Sequence, residues 1–288
     1  MRRVGIVARE DRPDAREVVR ALTRWLAGRG REPVVDRQTA GLLGDRARPL
    51  RVVDRAALPG QVDLIVVLGG DGTLLSVARL VGGLDVPILG VNLGGLGFLT
   101  ATTLEALYPT VEAVLQGEYA AEDRMVLAAT LSRGGATVAD YLALNDVVIA
   151  KGALSRLIDL EVRADGELMT AYRADGLIIA TPTGSTAYNL SAAGPILFPT
   201  MDAVVLTPIC SHSLTNRPIA LPGTMCLEVS LLTDTPDVIL SLDGQAGLPV
   251  TSKDVLRVRR AQSRIRLIRD PQKTYFQVLR AKLKWGER

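Results

Sequence analysis

Apolar residues arrive in unbroken runs early in this chain and in alternation later, and that change of rhythm divides it. Val4 to Ala8, Val62 to Leu68 and Val86 to Val91 are short, almost continuous apolar runs, the pattern of strands covered on both faces of a parallel sheet. Between the first two, Val18, Leu22, Trp25 and Leu26 recur at helical spacing. Asp14 and Glu17 stand as an N-cap and its third-position partner, and Gly28 or Gly30 ends the helix. Pro33 to Val35 predicts a weak strand, and Gly41 to Pro59 is less regular. Leu74, Leu75, Val77, Ala78, Leu80 and Val81 predict a second helix, and Pro109 to Leu115 a third, with proline in its first turn. This half is expected to be an α/β domain on an open, mostly parallel sheet.

After Gly117 the rhythm changes. Ile158, Leu160, Val162 and Ala164 alternate with Asp159, Glu161 and Arg163, and Asp165-Gly166 then signals a hairpin turn. Further strands are expected over Met125 to Leu131, Tyr141 to Ile149, Gly176 to Ala180, Ala203 to Thr207, Met225 to Leu232, Val238 to Leu242 and Val255 to Arg259. Many strands and little helix predict a β-rich, sandwich-like domain over residues 118–265, after an α/β domain over residues 1–117. The last segment is helical again, with Phe276, Leu279 and Leu283 on one face.

Composition changes this picture little. The 288 residues are 48% hydrophobic and 23% charged, ordinary for a globular protein with a sizeable core. No apolar run reaches about 18 residues, so no membrane-spanning helix and a cytoplasmic location are expected. The net charge of +3 and pI near 9.0 come from dispersed arginines, and the cluster from Arg257 to Arg269 largely alternates with Val258, Ile265 and Leu267 as the wet face of strands would, so nucleic acid is not the expected partner. With two cysteines and one histidine, a Cys/His zinc site is disfavoured. Neither a Walker-A motif nor a Gly-x-Gly-x-x-Gly fingerprint follows a strand.

The candidate chemistry begins where the run ending at Leu68 stops in Gly69-Gly70-Asp71-Gly72-Thr73 and a helix follows. Strand, glycine turn and helix bring bare backbone N–H groups up to a phosphate. A carboxylate there suits proton acceptance or a metal-bound phosphate; equally, Asp71 fits a helix N-cap. A second glycine loop, Asn92 to Gly97, follows the next strand. Four polar clusters then interrupt the β-rich half: Asn145-Asp146, Tyr172 to Asp175, Thr181 to Ser191, and Asp243-Gly244-Gln245. Each alone is compatible with turns and caps. Together, and with the glycine loop, they favour a polar ligand carrying ribose hydroxyls and an amide or adenine. His212, among Ser211, Ser213 and Asn216, suits a hydrogen-bonded or site-lining role, and Arg217 either a phosphate contact or a loop tie.

These motifs carry a resemblance. Gly69 to Thr73, Asn92 to Leu99, Ala143 to Val147, Asp175-Gly176, Thr181 to Tyr188, Pro208 to Pro218 and Asp243 to Gln245 together resemble the bacterial-type NAD kinases almost from end to end. The first motif is shared with phosphofructokinases and lipid kinases; the Thr181 to Tyr188 run at its distance from Asn145-Asp146 is far more specific. The resemblance implies an α/β domain completed by residues 266–288, whose helix returns to it after the β-rich domain. It also implies a phosphotransferase with an alcohol acceptor, converting NAD and ATP into NADP and ADP at the adenosine ribose 2′-hydroxyl. It implies Asp71 as the proton acceptor. Gly69, Gly70, Gly72 and Thr73 would meet the nucleotide phosphates. Asn145, Asp146, Arg156, Arg173, Asp175, Thr186, Ala187, Tyr188, Asn189, Leu190, Ser191 and Gln245 would bind NAD. Asp146 stands where many members have glutamate, and Ala193 where glycine is common. No dedicated protein metal cage is expected; Mg²⁺ would arrive with ATP, with polyphosphate a conceivable second donor. A homodimer or homotetramer is implied. The rival readings are a lipid or sugar kinase sharing only the first motif, and a non-catalytic dinucleotide-binding regulator.

Overall fold

The computed structural model describes every residue except Pro13, Arg48, Leu154, Pro271, Gln272, Glu287 and Arg288. The chain forms two compact units, Met1–Asp123 with Ile265–Arg288, and Arg124–Arg264. The strand that leads into the second unit begins at Ala121.

The first unit contains β1 (Arg3–Ala8), α1 (Ala15–Ala27), β2 (Glu32–Asp36), α2 (Arg37–Leu43), β3 (Arg51–Val53), β4 (Leu64–Leu68), α3 (Asp71–Val81), β5 (Ile88–Val91) and α4 (Leu107–Gln116). Its strands lie parallel in the order β5-β4-β1-β2-β3. Every residue of β4 and β5 is buried, as their unbroken apolar runs require of strands covered on both faces. Val4, Ile6, Leu64, Val66 and Leu89 share one core with Val19, Leu22 and Leu26 of α1 and Val111 of α4.

Two expectations change here. Asp14 precedes α1 but does not cap it, because its carboxylate is held by the Arg12 guanidinium at 2.8 Å. The irregular stretch after Gly41 overlaps the end of α2 and contains β3; α2 is started by Asp36, which accepts from the Thr39 N–H at 2.8 Å.

The second unit contains β6 (Ala121–Arg133), β7 (Ala136–Ala143), β8 (Asp146–Lys151), β9 (Ile158–Ala164), β10 (Glu167–Ala174), β11 (Gly176–Ala180), α5 (Tyr188–Ser191), β12 (Ala203–Ile209), β13 (Ile219–Pro222), β14 (Leu227–Leu231), β15 (Val238–Leu242), β16 (Ala246–Pro249) and most of β17 (Asp254–Ile268). One antiparallel sheet runs β13-β12-β11-β8-β15-β16; the other contains β10-β9-β14-β17, with β6 and β7 paired beside β17. Inward residues of both, among them Val147, Ile149, Ile179 and Leu240 from one and Leu127, Leu160, Val229 and Leu256 from the other, fill a single core, which makes the unit a β-sandwich. The β9–β10 hairpin turns at Asp165 (φ 49°) and Gly166 (φ 86°), the left-handed pair its Asp-Gly sequence predicts. The expected strand Tyr141 to Ile149 is instead two strands broken at Leu144-Asn145. The end of β17 belongs to the first unit, where Leu267 pairs with Ile88. The closing helix α6 (Tyr275–Leu283) lies there too, capped by Thr274 and Gln277. Its buried residues are Val278 and Leu279, whereas Phe276 is exposed, so the predicted apolar face is rotated toward Val278.

Candidate functional site

In the first unit, Asp71 is the first residue of α3 and Gly70 is its N-cap; the capping role open to Asp71 in the sequence is not the one it takes. Its carboxylate reaches instead to the second glycine loop. Oδ2 accepts the Phe98 N–H at 2.9 Å, and Oδ1 accepts the N–H groups of Leu99 and Thr100 at 3.1 and 3.0 Å and the Thr100 hydroxyl at 2.9 Å. The approach is close enough that a Cβ at Gly97 would overlap Asp71 Oδ1, so glycine is required there by space. The two loops are thereby clasped together, with the half-buried Asp71 as the clasp.

Gly69, Gly70, Gly94 and Gly95 line a cleft of about 170 Å³ with Arg9 and Arg12 on its walls. A neighbouring cavity of about 470 Å³ takes in Gly70, Gly72, Thr73 and Ser76, again with Arg9. Bare backbone at the start of an 11-residue helix, with two guanidiniums beside it, suits a polyphosphate chain. The arginines were not foreseen as site residues. Their signal in the sequence is faint: they follow the first buried strand, as Gly69 follows β4.

In the second unit the chain break at Asn145 has a definite cause. The Asp243 carboxylate accepts the N–H groups of Leu144, Asn145 and Asp146 at 3.1, 2.7 and 3.2 Å, pulling those amides out of the strand ladder. Thr181 closes the corner from the other side, its N–H donating to the Asn145 carbonyl at 2.9 Å and its hydroxyl to the Leu144 carbonyl at 2.6 Å. Gly184 packs so tightly on the Asn145 carbonyl that no Cβ fits. This corner leaves two groups in an unusual condition. Asn145 Oδ1 is buried without a hydrogen-bond partner among the described residues, an acceptor that a ligand donor would satisfy. Asp146 is 4% exposed, and burial, with the Asp243 charge second, pushes its carboxyl up to about 7.

The remaining predicted residues divide. Thr186, Tyr188, Leu190 and Ser191 lie on the one-turn helices after Thr181, with Ala187 between the two and Tyr188 exposed. Asn189 does not face outward: it is fully buried, its amide donates to the Ser185 and Pro195 carbonyls at 3.0 Å each, and its Oδ1 accepts the Thr207 hydroxyl at 2.6 Å. Its side chain is a strut under the loop. Gln245 is exposed at the Asp243 turn. Asp175 lies at the other end of the same strands: Ala180 pairs with Asp146, but Gly176 pairs with Ala150, four residues or about 14 Å along. There Asp175 meets Lys151 at 3.4 Å, and the Arg173 carbonyl accepts the His212 N–H at 2.9 Å. Arg156 is exposed on the β8–β9 connection. Asn145, Asp146, Thr181 to Ser191 and Gln245 thus form one group, and Arg173 with Asp175 another.

Comparison with known proteins matches two stretches of the chain. Residues 4–119 match the ATP-NAD kinase N-terminal domain and residues 144–270 the ATP-NAD kinase C-terminal domain. The NAD kinases of Syntrophotalea carbinolica and Geotalea daltonii are 51% and 50% identical to this chain, each over the whole length of both proteins. A yeast NADH kinase, solved in complex with NADH, superposes with a TM-score of 0.90 at 26% identity, over 100% of this chain and 89% of that one. An Archaeoglobus fulgidus NAD kinase, solved with ATP, shares the fold with a TM-score of 0.76 at 22% identity, over 98% of each chain.

Proposed function

The chain belongs to the NAD kinase family, and from that premise we propose how its residues divide the work of ATP-dependent NAD phosphorylation. Asp71 takes the proton of the adenosine ribose 2′-hydroxyl. The hydroxyl oxygen forms its bond to the γ-phosphorus of ATP, the bond to the β-phosphate oxygen breaks with its electron pair leaving on ADP, and the proton passes to solvent from Asp71. The observation that carries this role is a half-buried carboxylate at the first residue of α3, next to the cleft-lining Gly70, with one acceptor direction left open. A positioned carboxylate contributes about 10² to 10⁴-fold as general base; alignment and charge neutralisation supply the rest.

Arg9, Arg12 and the backbone of Gly69 to Thr73 hold the donor phosphates. Mg²⁺ comes as part of the ATP substrate and neutralises charge on the transferring group; the donor set beside the cleft, arginines and amides with Asp71 largely occupied, suits phosphate better than a metal cage. Asn145, Asp146, Thr186, Ala187, Tyr188 and Gln245 bind NAD. Arg173, Asp175 and Arg156 belong to the same reading through a homo-oligomer, in which a second copy supplies the group that lies about 14 Å along the strand. The reaction is cytoplasmic, and among the described residues no helix is long and apolar enough to cross a membrane.

The lipid- or sugar-kinase alternative accounts for the first motif but not for the Asn145 corner and is not favoured. The test is a product assay offering NAD, diacylglycerol and a sugar phosphate, with ATP or polyphosphate as donor. NADP and ADP should form one for one, and phosphorylation of another acceptor without NADP would defeat the reading.

A further inference from the structure

The two oxygens of Asp71 keep unequal company. Oδ1 accepts three hydrogen bonds, from the Leu99 N–H, the Thr100 N–H and the Thr100 hydroxyl. Oδ2 accepts one, from the Phe98 N–H. A carboxylate offers about two acceptor directions per oxygen, so Oδ1 is saturated and Oδ2 alone has a lone pair to spare. The side-chain donor on Oδ1 is held in turn. Thr100 is fully buried, and its hydroxyl oxygen accepts the Asn92 amide at 3.0 Å, while Asn92 Oδ1 accepts the Gly94 N–H at 2.6 Å. The run from Gly94 through Asn92 and Thr100 to Asp71 therefore has one direction, with each donor committed.

We propose that Thr100 is a positioning residue for phosphoryl transfer: its hydroxyl, oriented by Asn92, pins Asp71 Oδ1 and so presents Oδ2 to the substrate hydroxyl. This rests on the reading of Asp71 as proton acceptor. Backbone amides alone, two on Oδ1 and the Phe98 N–H on Oδ2, would let the carboxylate plane follow every shift of the loop. The third donor, on a β-branched side chain with little χ1 freedom, fixes that plane. Gly97 complements it by keeping a Cβ out of the space Oδ1 occupies. Thr100 touches no substrate in this scheme; it acts through Asp71.

The test compares Thr100→Val, which keeps the shape and loses the hydroxyl, with Thr100→Ser, which keeps the hydroxyl, using Asp71→Asn as reference. Steady-state NADP formation from NAD and ATP is measured with melting temperatures. Thr100→Val should lower kcat by about 10-fold, with KM for both substrates within about twofold, because a misaligned base slows the chemical step without weakening binding. Thr100→Ser should return kcat to within about twofold of the parent. Should the valine variant not fold at the assay temperature, Thr100→Ala is judged by the same criteria. Parent-level turnover in the hydroxyl-free variant beside an inactive Asp71→Asn would overturn the positioning role alone; so would a loss that Thr100→Ser shares, or a KM that rises as kcat falls. Parent-level turnover in Asp71→Asn would instead remove the premise.

Discussion

Asp71 and Asp146 are both aspartates at the end of a glycine- or amide-rich turn, and their surroundings are opposites. Asp71 accepts four hydrogen bonds from one loop. Asp146 is more deeply buried, and the three amides at its corner are taken by Asp243 instead. The first carboxylate is supplied with donors, the second denied them. A group asked to receive a proton repeatedly must be held in one place, and donors do that. At Asp146, burial beside a second carboxylate brings the titration to about 7. The same side chain thus meets two environments because the backbone around it spends its N–H groups differently.

The largest effect that would break this contrast is expected from Gly97→Ala. The added Cβ would overlap Asp71 Oδ1, so either the carboxylate or the loop must shift; kcat should fall by about 10²-fold, measured by NADP formation, with NAD affinity little changed. A parent-level kcat would mean the clasp is not needed for chemistry.

The second effect is on stability and sharpens the Asp146 side. Its carboxyl is raised well above the ordinary carboxylate value, so between about pH 4 and pH 7 the folded protein binds more protons at this site than the unfolded chain does. Its stabilising contribution is full at the acid end and disappears as pH climbs through about 7, a difference on the order of a few kcal/mol. Thermal melts without ligand should show Asp146→Asn losing less stability than the parent from pH 5 to pH 8; parallel curves would refute the assignment.

The smallest is expected at the rim. Arg156 is exposed, and exposed charges contribute about 0.2 to 1 kcal/mol. Arg156→Ala should raise KM for NAD by no more than about fivefold and leave the melting temperature unchanged. A loss of kcat would place Arg156 far closer to the chemistry than its exposure suggests.

How much of this was legible in the sequence depends on how far apart the interacting residues lie. β4, β5 and the Asp165-Gly166 hairpin follow from local pattern and were readable. So was the glycine turn between β4 and α3, since strand, glycines and helix are contiguous. The break between β7 and β8 was not, because Asn145 sits in an apolar run and is pulled from the ladder by Asp243, 98 positions away. Asp71's partners were hidden likewise: Thr100 is 29 positions away, and nothing local marks it off from other threonines. The inward turn of the Asn189 side chain was hidden for the same reason, since the groups that satisfy its amide come from Pro195 and Thr207 as well as from its own loop. Local chemistry announces a site's ingredients; long-range hydrogen bonds decide which face outward.

Asp71 as proton acceptor of the transfer is tested most directly by one paired measurement on Asp71→Asn: rapid-quench NADP formation with ATP, alongside calorimetric NAD affinity. An affinity within a few-fold of the parent and a transfer rate lower by about 10² to 10⁴-fold are expected. Transfer at near the parent rate, with NAD bound normally, would contradict it.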